Sequence, residues 1–118
     1  MGYDLISESG QELRFNYRGY PHIIDLALQY GWEPLGTTMP AWHDEKYGKR
    51  DDWPGIYCSN DYQVVSAEDA NNMADALGRA QLDLRNKQIT NPSDDWTGDE
   101  YILTHTIEFL RLGSFETW

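Results

Sequence analysis

The sequence predicts an α+β fold: a small antiparallel sheet from two hairpins plus a short C-terminal strand, with three helices packed on one face. Three observations carry this expectation. Residues 53–77, WPGIYCSNDYQVVSAEDANNMADAL, run as strand, tight turn, strand, helix cap and amphipathic helix. Two other segments repeat apolar residues at helical spacing between start and stop signals. Short stretches near both ends of the chain alternate as strands do.

The first hairpin is expected from Tyr3 to Ile6 and from Glu12 to Asn16, turning at Ser9-Gly10. A helix then begins near Pro21, whose missing N–H is not needed in a first helical turn. Ile23, Ile24, Leu26, Ala27, Leu28 and Tyr30 leave only a narrow polar stripe of His22, Asp25 and Gln29, so this helix is largely buried. Gly31 is placed to end it in the left-handed conformation. From Trp32 to Pro54 no period is sustained, and Pro34, Gly36, Pro40, Gly48 and Pro54 punctuate the segment. A loop of that length in a small domain is usually functional or mobile. It holds Trp42, Tyr47 and Trp53, and its Lys46, Lys49 and Arg50 are the densest positive charge in the chain.

A second hairpin is expected from Gly55–Cys58 and Tyr62–Val65, turning through Ser59-Asn60-Asp61. Ser66 is a strong N-cap for a second helix, with Glu68 and Asp69 in its positive first turn. Ala70, Met73, Ala74, Leu77 and Leu84 form its apolar side. Asp75 with Arg79 and Asp83 with Lys87 are spaced to pair along it. Gly78, costly in mid-helix, suggests close approach of another backbone. Residues 88–97 form a polar connection around Asn91-Pro92. Thr97 to Glu100 then matches a capping box for a third helix, which Gly113 ends. Phe115 to Trp118 alternates and can add a last strand.

At 118 residues the chain is the size of one domain, residues 1–118, with 40% hydrophobic and 14% aromatic residues. Its net charge is −11, uneven along its length. Residues 1–50 carry seven acids and five bases, whereas residues 51–118 carry thirteen acids and four bases. Such acidity repels phosphate backbones and argues against direct nucleic-acid binding. It either keeps a small protein in solution or complements a partner with a basic surface. One cysteine, Cys58, allows no intramolecular disulfide and none of the usual zinc patterns. No apolar stretch is long enough for a membrane span, and the first ten residues do not have the form of a signal peptide, so a cytoplasmic protein is expected.

The block from Trp53 to Val65, running into Asp69-Ala70, together with the ending Ile107-Glu108-Phe109-Leu110-Arg111-Leu112-Gly113-Ser114-Phe115, resembles a family of small uncharacterised bacterial proteins. The likeness covers most of the chain, on hairpin, cap and helix-stop motifs. It implies a small bacterial cytoplasmic domain and brings no activity with it.

Two pentapeptides match in pattern, Asp51-Asp52-Trp53-Pro54-Gly55 and Asp94-Asp95-Trp96-Thr97-Gly98. Paired carboxylates in turns can hold a hard cation, and a Trp beside them can stack on a sugar or a partner. Turn and cap chemistry explains the same residues without a ligand, and EF-hand spacing is absent. His43-Asp44-Glu45 places a His beside carboxylates, although sequence neighbours rarely point the same way. His22 with Asp25, and His105 with Glu108, sit at helical spacing and are expected at the surface or the core edge. Cys58 is expected as a small buried hydrophobe. No phosphate loop, nucleophile elbow or HExxH helix is present.

These features weigh against an enzyme, with no catalytic residue, metal or cofactor assigned. They favour a non-enzymatic acidic interaction protein, such as an inhibitor, immunity-type protein or adaptor, that binds a basic partner protein. The alternative is a small-ligand binder or hydrolase using the aromatic loop 36–54. The candidate binding residues are Trp42, His43, Tyr47, Asp51, Asp52, Trp53, Asp94, Asp95 and Trp96. The sequence does not specify an oligomeric state.

Overall fold

Alternation at the start of the chain produces a hairpin, β1 (Gly2–Ser7) and β2 (Glu12–Asn16), with Leu5 opposite Leu13 and Tyr3 opposite Phe15. The computed structural model describes residues 2–40, 42, 45–46, 48, 53, 55–90 and 97–118, with side chains for all of these except 87–90 and 97–101. The remaining elements are α1 (Gly19–Gln29), β3 (Val64–Val65), α2 (Ala67–Thr90), α3 (Thr97–Leu110) and β4 (Phe115–Thr117). The four strands form one antiparallel sheet in the order β2-β1-β4-β3.

The strand period decides the two faces of this sheet. Tyr3, Leu5, Phe15, Val65 and Phe115 point inward to α1, α2 and α3. The intervening residues Asp4, Ile6, Val64 and Glu116 lie on the opposite face. The small antiparallel sheet under three helices is the α+β arrangement expected from the pattern.

α1 starts two residues before Pro21. Asn16 Oδ1 accepts from the backbone N–H groups of Arg18 (3.1 Å) and Gly19 (2.6 Å) and so covers the otherwise unpaired first turn. Gly31, at φ 95°, stops it as expected. α2 is the central helix. Ala70, Met73, Ala74, Ala76, Leu77 and Ala80 are fully buried, and the small alanines let its neighbours lie close. Ser66 Oγ accepts from the Asp69 N–H at 3.2 Å and caps it. α2 runs on to Thr90, past the start of the expected connection. The capping-box side chains of Thr97 and Glu100 lie outside the described residues, although α3 does begin at Thr97.

Three local expectations are corrected. The second hairpin does not form, because its first arm is not a strand. Gly55 takes φ 74°, Tyr62 takes φ 65°, and the buried Gln63 carboxamide donates to the carbonyls of Tyr57 (2.8 Å) and Ser59 (2.9 Å). That amide wraps residues 57–61 into a bend. The free edge of β3 is taken instead by Thr38, which exchanges backbone hydrogen bonds with Val64 in both directions. The pair Asp75–Arg79 also does not form. Asp75 meets Arg111, just past the end of α3, at 2.6 Å, and Arg79 donates to the Tyr30 carbonyl at 2.8 Å and 3.0 Å. Asp83 accepts from the Tyr30 hydroxyl, while the Lys87 side chain lies outside the described residues. Finally, among the described residues no backbone approaches Gly78, and a Cβ there would meet none of them within 4 Å.

Candidate functional site

Loop 32–40 is fixed by a buried carboxylate. Asp69, in the first turn of α2, is fully buried. It accepts from the Trp32 indole N–H at 2.9 Å, the Leu35 backbone N–H at 3.3 Å and the Tyr57 hydroxyl. The same Tyr57 oxygen accepts from the Gly36 N–H at 2.8 Å. Burial first, and then its bond to Asp69, push the Tyr57 hydroxyl well above the usual tyrosine range. Thr37 extends the network by donating to the Ile56 carbonyl at 2.8 Å. Among the candidate residues, Trp53 belongs here: its indole N–H is shared between the Thr37 hydroxyl (3.0 Å) and carbonyl (3.2 Å). Half-buried Trp53 braces the loop.

Trp42 lies elsewhere, on the sheet face away from the helices. The register places Tyr62, Glu116 and Trp118 together on that face, on adjacent edges of β3 and β4. The Tyr62 ring packs edge-on against Trp42 on one side (5.1 Å, 64°) and Trp118 on the other (4.9 Å, 87°). The Glu116 carboxylate sits between the two indoles, 3.4 Å from each N–H, one oxygen to each. Trp42 is 37% exposed and Trp118 is 45% exposed, so large ring surface stays in water. Asn60 fixes the platform edge by donating to the carbonyls of Gly2 and Trp118, both at 2.8 Å. Three rings around a carboxylate can take a cation on their faces, or an apolar side chain with a basic end.

Of the nine candidate residues, only Trp42 and Trp53 are described, and they serve different sites. His43, Tyr47, Asp51, Asp52, Asp94, Asp95 and Trp96 lie outside the described residues. Tyr62, Glu116 and Trp118 were not candidates. Their signal was the alternation of Phe115 to Trp118, which puts Glu116 and Trp118 on the same side of a strand. Cys58 is half-buried and its thiol is pushed up by burial, with Asp25 adding to the shift, which disfavours the nucleophilic thiolate. His22 and His105 are both exposed, with His105 Nδ1 4.0 Å from Glu108. Among the described residues no group of three or more His, Cys, Asp or Glu is placed to hold a metal ion. Nor is any described helix long and apolar enough to cross a membrane.

Comparison with known proteins finds no matching family model, no similar curated protein and no similar solved structure. The resemblance carried by the Trp53–Val65 block and the C-terminal ending stands on those residues alone.

Proposed function

We propose that this chain is a one-domain, non-enzymatic interaction protein of the bacterial cytoplasm that binds a basic partner protein on its exposed sheet face. The observation that carries this reading is the platform of Trp42, Tyr62 and Trp118 around Glu116. Exposed aromatic rings are the side chains most often found as energetic anchors of interfaces. Glu116 makes the platform selective for a cationic side chain, since a Lys or Arg can lie on an indole face and reach the carboxylate together. The net charge of −11 acts at longer range, drawing a basic surface in and repelling acidic ones. Asp4 and Glu12 add acidic groups on the same face, with Arg14 already paired to Asp4 at 3.3 Å.

The test uses indole fluorescence titrated with an arginine-rich peptide and an acidic peptide of equal length. Only the basic peptide is expected to bind, less tightly as salt rises. Trp42→Ala and Trp118→Ala should each weaken it by ~1–4 kcal/mol with the fold retained, the range of an aromatic anchor. Glu116→Gln should reduce the preference for cations. Binding unaffected by these changes, but lost when Asp94, Asp95, Asp99 and Glu100 are neutralised together, would move the interface away from the sheet.

A further inference from the structure

The sheet has two outer strands. Thr38 takes the edge of β3, whereas β2 is the last strand on the other side. The direction of the β2 backbone groups follows from the ladder. Asp4 exchanges both of its hydrogen bonds with Trp118, so Tyr3 and Leu5 on either side of it face β2. Their partners Phe15 and Leu13 turn their N–H and C=O groups inward to β1, as Gln11 does in accepting from Ser7 at 2.9 Å. Glu12 and Arg14 alternate with them and point theirs outward. Among the described residues no hydrogen bond reaches these four groups. An unbroken five-residue edge without proline is a template for another strand.

The side chains decide which strand fits. Glu12 and Arg14 lie on the sheet face away from the helices, where Arg14 meets Asp4 at 3.3 Å. Leu13, between them, lies on the helix side and with Phe15 lines a cleft of about 780 Å³. An antiparallel pairing of two β2 strands about a two-fold axis at Leu13 sets Glu12 opposite Arg14 of the second copy, and Arg14 opposite its Glu12. Both are hydrogen-bonded pairs, so every outward group of these residues finds a partner. Opposite charges lie directly across from each other, and the two Leu13 side chains meet at the axis beside the clefts. Arg14 then sits in a row between Asp4 of its own chain and Glu12 of the copy. An axis at Glu12 or at Arg14 puts like charges face to face, and an axis at Phe15 leaves Glu12 with no residue of the other β2 across from it.

We infer that a second copy of this chain docks on β2 in the register centred on Leu13, joining two four-stranded sheets into one of eight strands. The contact is isologous and uses up the free edge of both copies, so it closes at two. It lies at the opposite end of the sheet from β3 and β4, leaves both aromatic platforms open, and does not depend on a basic partner.

The experiment is sedimentation equilibrium of the whole chain from about 10 µM to about 1 mM in about 0.15 M salt. Under those conditions the repulsion between two chains of net charge −11 is screened beyond ~8 Å, while facing pairs ~5 Å apart still act. Monomers should pass into dimers and no larger species. Glu12→Arg and Arg14→Glu, each alone, should weaken self-association about tenfold or more, because both facing pairs become like-charged. Mixed in equal amounts, the two variants should associate with each other about as tightly as the native chain does with itself, since every facing pair is again opposite in charge. Circular dichroism should show both variants folded, as both positions are exposed. Amide exchange on the native chain provides a second measurement that needs no variant. The Glu12 and Arg14 amides should slow as concentration rises, while those of Leu13 and Phe15, bonded to β1, stay slow throughout. A chain that stays monomeric, a mass that grows beyond two copies, folded variants that self-associate like the native chain, a mixture that fails to associate, or a dimer whose Glu12 and Arg14 amides exchange at the monomer rate would each overturn the inference.

Discussion

Removing the Asp69 carboxylate is the sharpest test of how loop 32–40 is held. In Asp69→Ala, three donors lose their acceptor: the Trp32 indole N–H, the Leu35 N–H and the Tyr57 hydroxyl. A buried donor left unpaired costs about 1–3 kcal/mol, and the cost falls where water can replace the lost partner. Trp32 is only 3% exposed and bears the full cost, whereas Tyr57 is half-buried and Leu35 is exposed. The expected loss is about 3–5 kcal/mol, a large share of the 5–15 kcal/mol that holds a domain of this size together. Asp69→Asn keeps one acceptor oxygen, and its new amide donor can be accommodated if the Tyr57 hydroxyl rotates to accept. That variant should lose only about 1–2 kcal/mol. Urea unfolding followed by tryptophan fluorescence measures both, and amide exchange at Leu35 should accelerate in the Ala variant. An Ala variant within ~1 kcal/mol of the native chain, or an Asn variant as damaged as the Ala one, would refute the reasoning.

Leu77 is fully buried on α2, so Leu77→Ala should cost about 2–5 kcal/mol in the same assay, and a loss under ~1 kcal/mol would place that side chain in solvent. Gly78→Ala should stabilise by up to ~1 kcal/mol, because the added methyl meets nothing within 4 Å and the helix gains propensity; destabilisation would mean an unseen neighbour. Tyr20 and Tyr57, both pushed up chiefly by burial, should ionise well above the usual tyrosine range. Their folded pKa lies above the unfolded value near 10, so the stability they contribute is intact below about pH 10 and is lost as pH rises beyond it. Phenolate absorbance tracked beside circular dichroism should show their ionisation accompanying unfolding, and full titration of every phenol near pH 10 in an intact fold would contradict this.

Much of the architecture was legible because it rests on local signals. Asn and Gly at turns, Ser66 as cap and the apolar period of α2 each fix geometry within a few residues. What was not legible depends on residues distant in sequence. Gly55–Cys58 has a strand-like composition, yet Gln63 and Asp69 hold its carbonyls and Tyr57 in a bend, and Thr38 takes the vacated edge. Asp75 has Arg79 four residues away but pairs with Arg111, just beyond the end of α3. The aromatic platform was half legible. Trp42 stood out by type, whereas Tyr62 and Trp118 become neighbours only through the β3–β4 register.

The place of β4 in the sheet also governs when the molecule can fold. β4 is the last element along the chain, yet it lies between β1, which is the first, and β3. Until Phe115–Thr117 arrive, β1 has β2 alone for company and the two residues of β3 have no sheet to join. Leu5 must find Thr117 across almost the entire chain. Closing a loop of that length costs about 4 kcal/mol of chain entropy before any contact repays it. During synthesis the hairpin and α1 can form early, but both faces of the sheet wait for β4. The molecule should therefore fold late and slowly for its size, in keeping with its dependence on long-range strand pairing. The aromatic platform, which needs Glu116 and Trp118, would be assembled only in that last step.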